Sequence, residues 1–159
     1  MVRRAHDVNR EEDLTIALRE ITKETLRDIL KLKVTPEQER FVAPNAVSIA
    51  QAYFDREVAW FRAIYADDTP VGFVMLYDDP TKREYYLWRF MVDHRFQGHG
   101  YGAEALNQVI AYVRQRPGAR EFLTCVGPGE GSPGPFYEKL GFTYTGVIVE
   151  GERVMRKEL

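Results

Sequence analysis

The strongest constraint on the fold is a glycine-rich stretch that joins an apolar run to a helical one. Gly98, Gly100 and Gly102 stand at every second position, between the apolar residues 84–92 and the helix-forming residues 103–115. Glycine lets a backbone approach a ligand without interference from a Cβ atom. The first N–H groups of a helix have no intrahelical partner and lie at the positive end of its dipole. The stretch therefore predicts a strand-to-helix turn that binds a phosphate group, and a diphosphate fits this description.

Two other nucleotide motifs match this stretch less well. A P-loop needs lysine and then serine or threonine after the last glycine, whereas alanine and glutamate follow here. The permissive dinucleotide fingerprint is matched by Gly98, Gly100 and Ala103, with Glu121 about 20 residues on. However, Glu121 would begin the next strand rather than end it. A nicotinamide-dependent oxidoreductase stays as the weaker enzyme alternative, and a tight turn without a ligand would need only two glycines.

Periodicity and capping residues predict an alternation of strands and helices along the chain. The predicted strands are 13–18, 60–66, 71–77, 84–92, 121–126, 142–149 and 153–157, and the predicted helices are 23–31 after an N-cap at Thr22, a short one from Pro36 through 41, 45–53 with Asn45 as cap, 101–115, and 136–140 with Gly141 at its C′ position. The three strands between 60 and 92 are expected to be antiparallel neighbours. Strand 84–92, helix 101–115 and strand 121–126 form a βαβ unit with parallel strands.

Composition limits the classes of protein that fit. The 159 residues are 45% hydrophobic with a net charge of −2, which predicts a single domain over 1–159 and argues against a broad basic nucleic-acid surface. No apolar run approaches the ~20 residues that cross a bilayer, and no signal peptide begins the chain, so we expect a cytoplasmic protein without a membrane partner. Cys125 is expected to be a small core residue. His6, His94 and His99 lack metal-ligand spacing, so no metal is expected.

Two motifs in the second half of the chain resemble a known family. Residues 97–102, Gln-Gly-His-Gly-Tyr-Gly, match the pattern Gln/Arg-x-x-Gly-x-Gly/Ala, and residues 136–142, Phe-Tyr-Glu-Lys-Leu-Gly-Phe, follow about forty residues later. Together they resemble the GNAT family of N-acetyltransferases. Residues 86–93 and 129–133 are most similar to the bacterial diamine and spermine/spermidine acetyltransferases of that family.

The resemblance implies an α/β (α+β) fold and a cosubstrate. The implied fold is a central mixed, mostly antiparallel sheet of about seven strands flanked by about four helices, with a V-shaped splay between strands 4 and 5. Acetyl-CoA would bind in that splay, and no metal is implied. Pantetheine would lie along the backbone of Met91 and Val92, with the Val92 N–H polarising the thioester carbonyl. The diphosphate would contact the loop, whose candidate residues are Gln97, Gly98, His99, Gly100, Tyr101 and Gly102.

The same resemblance makes Tyr137 the candidate general acid. A phenol can donate a proton to the departing thiolate of CoA, although a buried tyrosine with a satisfied hydroxyl has a purely structural alternative role. Many family members carry an asparagine near the position of Glu130. The segment here is Gly-Pro-Gly-Glu-Gly-Ser-Pro, so Ser132 is the candidate for that CoA contact.

The base is less constrained. A primary amine with a pKa near ~10.4 arrives protonated, so a carboxylate, directly or through water, must help to remove its proton. Glu84 is the first candidate, and Glu130, Glu150 and Glu152 are the alternatives. Each of these carboxylates is also compatible with a solvated surface position.

The expected acceptor is a primary amine of a small molecule, such as a polyamine or diamine. Candidate acceptor-binding residues are Trp88 and Arg89, and the variable helical region adds Glu37, Glu39 and Asn45. Some eukaryotic polyamine acetyltransferases have two acidic residues where this chain has Trp88 and Arg89. Arg89 would repel a cationic amine if it faced the site. It would alternatively pair with an acid or bind a carboxylate of the substrate.

Other acceptors stay open from the sequence. They are aminoglycosides, amino acids and protein amines, and a CoA-binding module without catalysis is the alternative outside enzymes. Retention of Tyr137 argues against that module. A homodimer is expected because dimers are common in the family.

Overall fold

A seven-stranded sheet organises residues 14–159, which are the residues that the computed structural model describes. The strands are β1 (Ile16–Arg19), β2 (Ala59–Ala66), β3 (Thr69–Asp79), β4 (Glu84–Val92), β5 (Glu121–Val126), β6 (Thr143–Val149) and β7 (Glu152–Glu158). Their order in the sheet is β1-β2-β3-β4-β5-β7-β6, and every neighbouring pair is antiparallel except β4 and β5. The predicted mixed, mostly antiparallel sheet is confirmed.

Four α-helices flank this sheet. They are α1 (Leu26–Leu30), α2 (Asn45–Phe54), α3 (Tyr101–Arg114) and α4 (Gly134–Lys139), and short 3₁₀ helices occupy Pro36–Gln38 and His94–Phe96. The predicted helix 101–115 and the βαβ unit around it are therefore confirmed. The short helix predicted from Pro36 is present but ends at Gln38. The first position of the strand predicted over 13–18 lies outside the described residues.

The start of α1 differs from the prediction because two threonines form a turn first. The Thr22 N–H donates to Thr25 Oγ1 at 2.9 Å, and Thr22 O accepts from the N–H of Leu26 at 2.9 Å. The N-cap position is Thr25. The predicted cap at Thr22 is thus wrong by about one turn, because the threonine side chains satisfy the backbone locally before a regular helix begins.

Asn45 was also expected to cap a helix, and this prediction is wrong. Pro44 holds the N-cap position of α2, and the Asn45 side chain is 4% exposed. Its amide donates to Ile29 O at 2.9 Å and contacts the Met91 sulfur at 3.8 Å. Asn45 therefore joins α2 to α1, because a buried amide must find partners wherever the packing offers them.

The sheet has a hydrophobic core on each face. On one face, the predicted apolar stripe of α3, which includes Leu106, Val109 and Val113, is fully buried against the strands. On the other face, α1 and α2 cover Phe73 and Met75 of β3. Because central strand β4 has core on both sides, its backbone is held in place along its length.

The parallel pair β4–β5 separates soon after it forms. Only Tyr86 with Leu123 and Leu87 with Thr124 are paired, yet β4 continues to Val92. A register shift of the β3–β4 ladder between Met75 and Leu76 lies opposite this point. Such irregularities bend a strand and increase its twist. The predicted V-shaped splay between strands 4 and 5 is confirmed.

Candidate active site

The splay opens into a cavity of about 1510 Å³. Its walls come from β4, from the glycine loop before α3, from β5 and the loop that precedes α4, and from the turn between β6 and β7. The segment that follows the first 3₁₀ helix, residues 38–43, closes one side. The Arg40 guanidinium donates to the carbonyl oxygen of Glu130, so this segment is joined to the loop on the far wall.

The glycine loop has the geometry of an anion site. Gly98 and Gly100 have φ angles of 81° and 80°, which are left-handed conformations that favour glycine. The N–H of Glu104 donates to Gly100 O at 3.2 Å as the first helical bond. The N–H groups at positions 101–103 therefore have no helical partner at the start of this 14-residue helix. A diphosphate fits these groups, and their dipole favours its charge.

The side chain of Gln97 connects this loop to β4 and to the first 3₁₀ helix. Its amide nitrogen donates to Val92 O at 2.9 Å and to Gln38 Oε1 at 2.8 Å, and the Gln38 amide donates back at 3.2 Å. The Gln97 side chain thus fastens the loop to the end of β4. Because the side chain of Gln97 is used in this way, only its backbone N–H is left for the predicted contact with the cofactor.

Asp93 fixes the same corner more firmly. This carboxylate is 1% exposed and accepts from the N–H of Lys33 at 2.9 Å, from the N–H of Arg95 at 3.0 Å and from Arg95 Nε at 2.8 Å. Burial opposes its ionisation, but the hydrogen bonds from Arg95 and Lys33 outweigh that effect, and the pKa of Asp93 lies below its ordinary value. Asp93 is therefore a buried anion that joins the turn after α1 to the loop that precedes α3.

The backbone at Val92 faces the opening. The N–H of Asp93 donates to Val71 O on β3 at 2.8 Å. Backbone groups of successive strand residues point to opposite edges, so the N–H and C=O of Val92 point toward β5, where the strand is splayed. This direction agrees with the predicted role of the Val92 N–H. The buried Met91 side chain packs against the α1–α2 core, and both residues line the cavity.

Tyr137 reaches the same cavity from α4. Its side chain is 6% exposed, its ring packs edge-on against Phe136 and Phe142, and it lines the cavity beside Thr124. Burial raises the pKa of Tyr137 well above its ordinary value, and the Thr124 hydroxyl lowers it only in part. The phenol therefore keeps its proton throughout the neutral range.

The remaining predicted cofactor residues differ in placement. Gly98, Gly100, Tyr101, Gly102 and Ser132 line the cavity. The Ser132 hydroxyl also accepts from the N–H of Gly134 at 3.4 Å, at the beginning of α4. His99 is exposed, stacks on Tyr101 with ring centroids 5.4 Å apart, and does not line the cavity.

Two of the four base candidates lie at the cavity. Glu150 and Glu152 line it from the turn between β6 and β7. Glu84, the first candidate, is exposed at the far end of β4, where it pairs with Asp79, and does not line the cavity. Glu130 is exposed on the loop before α4 and also lies outside the lining. The geometry thus favours Glu150 and Glu152 over Glu84.

The acceptor candidates are also divided. Trp88, Arg89 and Glu39 line the cavity, whereas Glu37 and the buried Asn45 do not. Gln51, which the sequence did not indicate as a site residue, lines the cavity near Arg89 and accepts a hydrogen bond from it at 2.9 Å. Its position on α2, one turn before the exposed end of that helix, gave no sequence signal of a site.

The prediction that Cys125 is a small core residue is wrong. Cys125 is exposed and lines the cavity rather than packing in the core. The strand β5 alternates, so that Phe122, Thr124 and Val126 are buried while Cys125 faces away from them. Burial within the cleft and the charge of Glu152 raise the pKa of the Cys125 thiol. A sequence signal was available, because Glu121 is a residue type that favours solvent and lies four residues before Cys125. Strand alternation therefore places both side chains on the same face of β5.

Comparison with known proteins identifies the chain. Residues 18–142 match the model of the acetyltransferase (GNAT) family. The chain belongs to this family. A spermine/spermidine N(1)-acetyltransferase of Bacillus subtilis is 26% identical over 155 residues, which cover 92% of this chain and 100% of that protein. An L-2,4-diaminobutyric acid acetyltransferase of Streptomyces avermitilis is 35% identical over 65 residues, which cover 40% of this chain and 36% of that protein.

Solved structures show the same fold in this GNAT protein. The crystal structure of PaiA N-acetyltransferase from Thermoplasma acidophilum in complex with coenzyme A superposes with a TM-score of 0.69 at 16% identity, covering 92% of this chain and 100% of that one. Among residues 14–159, no helix is both long enough and apolar enough to cross a membrane. The described part of the chain also contains no cluster of three metal-ligating side chains.

Proposed function

We propose that this GNAT acetyltransferase transfers the acetyl group of acetyl-CoA to a primary amine of a small molecule, in one step within a ternary complex. As a family member it is an acetyl-CoA-dependent N-acetyltransferase. The observation that carries the finer proposal is the splay itself, because it leads from the glycine loop at one end to Tyr137 and Val92, and then to an open acceptor end.

Each step of this reaction has a group in the cavity. The free N–H groups of the glycine loop bind the diphosphate, and the Val92 N–H donates to the thioester oxygen as negative charge develops there. The neutral amine attacks the carbonyl carbon, a C–N bond forms, and the C–S bond breaks. Tyr137 donates its O–H to the leaving thiolate. Glu150 or Glu152, directly or through water, accepts the proton that the amine loses.

The acceptor is proposed to be a compound with more than one amino group. The two relatives named above act, by their names, on spermine or spermidine and on diaminobutyric acid, all of which carry at least two amines. Acidic Glu39, Glu150 and Glu152 at the mouth of the cavity suit such a substrate. The carboxylates among them that do not act as the base would hold an ammonium group that is not being acetylated.

The test is release of CoA thiol from acetyl-CoA in the presence of diamines, polyamines, aminoglycosides, amino acids and a peptide amino terminus. We expect small-molecule diamines or diamino acids to give the highest kcat/KM. Acetylation of the peptide or the aminoglycosides alone would contradict the proposed acceptor class. Tight binding of CoA with no acetylation of any amine would contradict direct amine transfer.

A further inference from the structure

The acceptor end of the cavity contains a cation that has no carboxylate partner. Arg89 on β4 lines the cavity, and no Asp or Glu oxygen among residues 14–159 lies within 4.0 Å of its guanidinium nitrogens. Of the two alternatives for Arg89, pairing with an acid of the protein does not occur within the described residues, and binding a substrate carboxylate stays open. Arg89 instead faces the site.

The guanidinium is held in place but only partly used. One terminal nitrogen donates to Trp88 O at 3.0 Å, and the other donates to Gln51 Oε1 at 2.9 Å. Both contacts are neutral. Among residues 14–159, Arg89 Nε is buried and has no hydrogen-bond partner, so it adds to the cost of burying this cation. Since a guanidinium carries five N–H donors, each terminal nitrogen keeps one further donor, and these two donors are available to a carboxylate in the cavity.

This arrangement has a physical cost that a ligand would offset. A partly buried cation loses hydration, and residues 14–159 place no opposite charge in contact with it. Burial accordingly lowers the pKa of Arg89, and the more distant Glu152 compensates only in part. Gln51 and the Trp88 carbonyl hold the side chain at the mouth of the cavity instead of letting it extend into solvent. A fixed, desolvated and unneutralised guanidinium is the expected form of a carboxylate-binding group.

A second charge lies beside it. Glu152 acts electrostatically on both Arg89 and Cys125, and it lines the same end of the cavity as Glu150. A cation and an anion at this end of the cavity match the zwitterionic head of an α-amino acid, with its carboxylate at Arg89 and its ammonium group at Glu152, while Glu150 is left to act as the base. A second amine on the side chain of such a ligand would then extend toward the thioester.

We propose that Arg89 selects an acceptor that bears a carboxylate, and that the acceptor class is a diamino acid rather than a simple diamine or polyamine. This inference rests on the proposed amine acetylation and specifies its substrate. A purely cationic polyamine would meet Arg89 with repulsion, whereas a diamino acid would neutralise it.

The test uses matched acceptors that differ by one carboxylate. The pairs are 2,4-diaminobutyrate with 1,3-diaminopropane, ornithine with 1,4-diaminobutane, and lysine with 1,5-diaminopentane. In the wild-type protein we expect the diamino acid of at least one pair to have a kcat/KM roughly tenfold or more above its diamine, as a charged bidentate hydrogen bond implies. Equal or better use of the diamine in all three pairs would overturn the proposal.

Variants of Arg89 test whether a preference for the diamino acid is due to this residue. Arg89→Met, of similar length but neutral, should reduce the ratio of diamino acid to diamine by roughly tenfold, mainly through KM for the acceptor, and Arg89→Lys should restore part of it. Arg114→Met, at an exposed position of α3 outside the cavity, is the matched control and should leave the ratio unchanged. An unchanged ratio in Arg89→Met would refute the role of Arg89. Absence of acetylation with every acceptor would instead refute the proposed amine transfer, so the two failures are distinguishable.

Discussion

The hydroxyl of Tyr137 combines two properties that a proton donor to thiolate needs. It lines the cavity at the splay, and its raised pKa keeps it protonated. The leaving group is a thiolate, and a nearby O–H stabilises it as the C–S bond lengthens. The mechanism therefore places the largest single side-chain contribution to turnover at this residue.

Replacing Tyr137 by phenylalanine should lower kcat by roughly 100-fold, at the lower end of the usual range for general acid catalysis. KM for acetyl-CoA should change little, because the ring contacts with Phe136 and Phe142 are retained. Initial rates of thiol release measure both quantities. Tyr53→Phe removes a hydroxyl at an exposed position of α2 outside the cavity and serves as the control. Equal kcat values in the wild type and Tyr137→Phe would remove the proposed role.

The pH dependence of the rate gives a second check on this phenol. An ordinary tyrosine loses its proton near pH ~10, but the raised pKa of Tyr137 moves that loss to higher pH. Rates of the wild type should therefore rise with pH as the amine becomes neutral and should show no fall below about pH 10. A fall near pH 9 that is absent from Tyr137→Phe would contradict the raised pKa of Tyr137.

At the residue scale, the sequence predicted which backbone segments line the cavity better than it predicted which side chains do. Tyr137 follows from its motif, and the place of Val92 follows from the resemblance to the GNAT family. Arg89 was predicted near the acceptor, but its orientation depends on a register shift in the β3–β4 ladder that leaves no local sequence signal. Glu84 is a predicted base on β4, yet it lies eight residues before Val92, at the opposite end of that strand and outside the cavity.

At the scale of elements, the three glycines of the loop before α3 are needed for different structural reasons. Gly98 and Gly100 need positive φ angles, whereas an added Cβ at either position would meet no atom within 4 Å. Gly102 is different, because its φ is helical and a Cβ there would contact Val92 and Phe136 at 3.4 and 3.5 Å. The first two glycines are thus required by conformation and the third allows close packing of α3.

Gly100→Ala should therefore cost stability and also weaken the cofactor site. A left-handed alanine is unfavourable by about 1–2 kcal/mol, and relief of that strain would turn the loop N–H groups away from the diphosphate. We expect KM for acetyl-CoA to rise roughly tenfold, which corresponds to ~1.4 kcal/mol. Urea denaturation and initial rates measure the two effects.

The matched control is Gly146→Ala on β6, outside the cavity. Gly146 has a φ of 85° and open space at its Cβ, so the same strain arises there without a ligand nearby. Gly146→Ala should lose similar stability and keep its KM for acetyl-CoA. If both variants raise this KM equally, the effect of Gly100→Ala would reflect folding and not a phosphate contact.

Element prediction from the sequence succeeded where periodicity was strong and failed at caps. The apolar stripe of α3 and the apolar runs of β2 to β5 form the buried parts of these elements, so the sequence predicts them. The caps at Thr22 and Asn45 were assigned wrongly because Thr25 and Pro44 compete for the same helix starts. Short polar side chains satisfy several local geometries equally well, and tertiary contacts such as that of Asn45 with Ile29 decide between them.

At the scale of the whole molecule, Asp93 links the two halves of the site. It joins Lys33, after α1, to Arg95, before α3, so a change there should affect stability across the sheet. Because its folded pKa is lowered, its contribution is complete above the unfolded value near ~3.9 and is lost as the pH falls through the lower folded value.

Asp93→Asn should accordingly lower the free energy of unfolding by about 2 kcal/mol at pH 7, since it removes charged hydrogen bonds from a buried group. The difference from the wild type should shrink below pH ~4. Urea denaturation at several pH values measures this. The control is Asp68→Asn, because the fully exposed carboxylate of Asp68 lies 3.6 Å from Arg19 and its loss should change stability much less. A pH-independent loss in Asp93→Asn would contradict the account of a buried anion.

The whole fold was predictable to the level of sheet type and splay, because the family motifs fix the order of strands around the glycine loop. The sequence did not predict how residues 38–43 cross the cavity. That segment is held by a few side-chain hydrogen bonds between residues far apart in the sequence, such as Gln38 with Gln97 and Arg40 with Glu130. No periodic pattern in the sequence predicts such contacts.

The central claim is that acetyl passes directly from bound CoA to an amine, and Cys125 makes a direct test possible. Its thiol lies in the cavity, but the raised pKa keeps it protonated and therefore a poor nucleophile near neutral pH. The measurement is a single turnover with the protein in excess over acetyl-CoA that carries a labelled acetyl group, followed by mass spectrometry of the protein and the amine. We predict that the label appears on the amine only when acceptor is present, and that the protein carries none at any time. Label on Cys125 before the amine is added, transferred to the amine afterwards, would contradict the account.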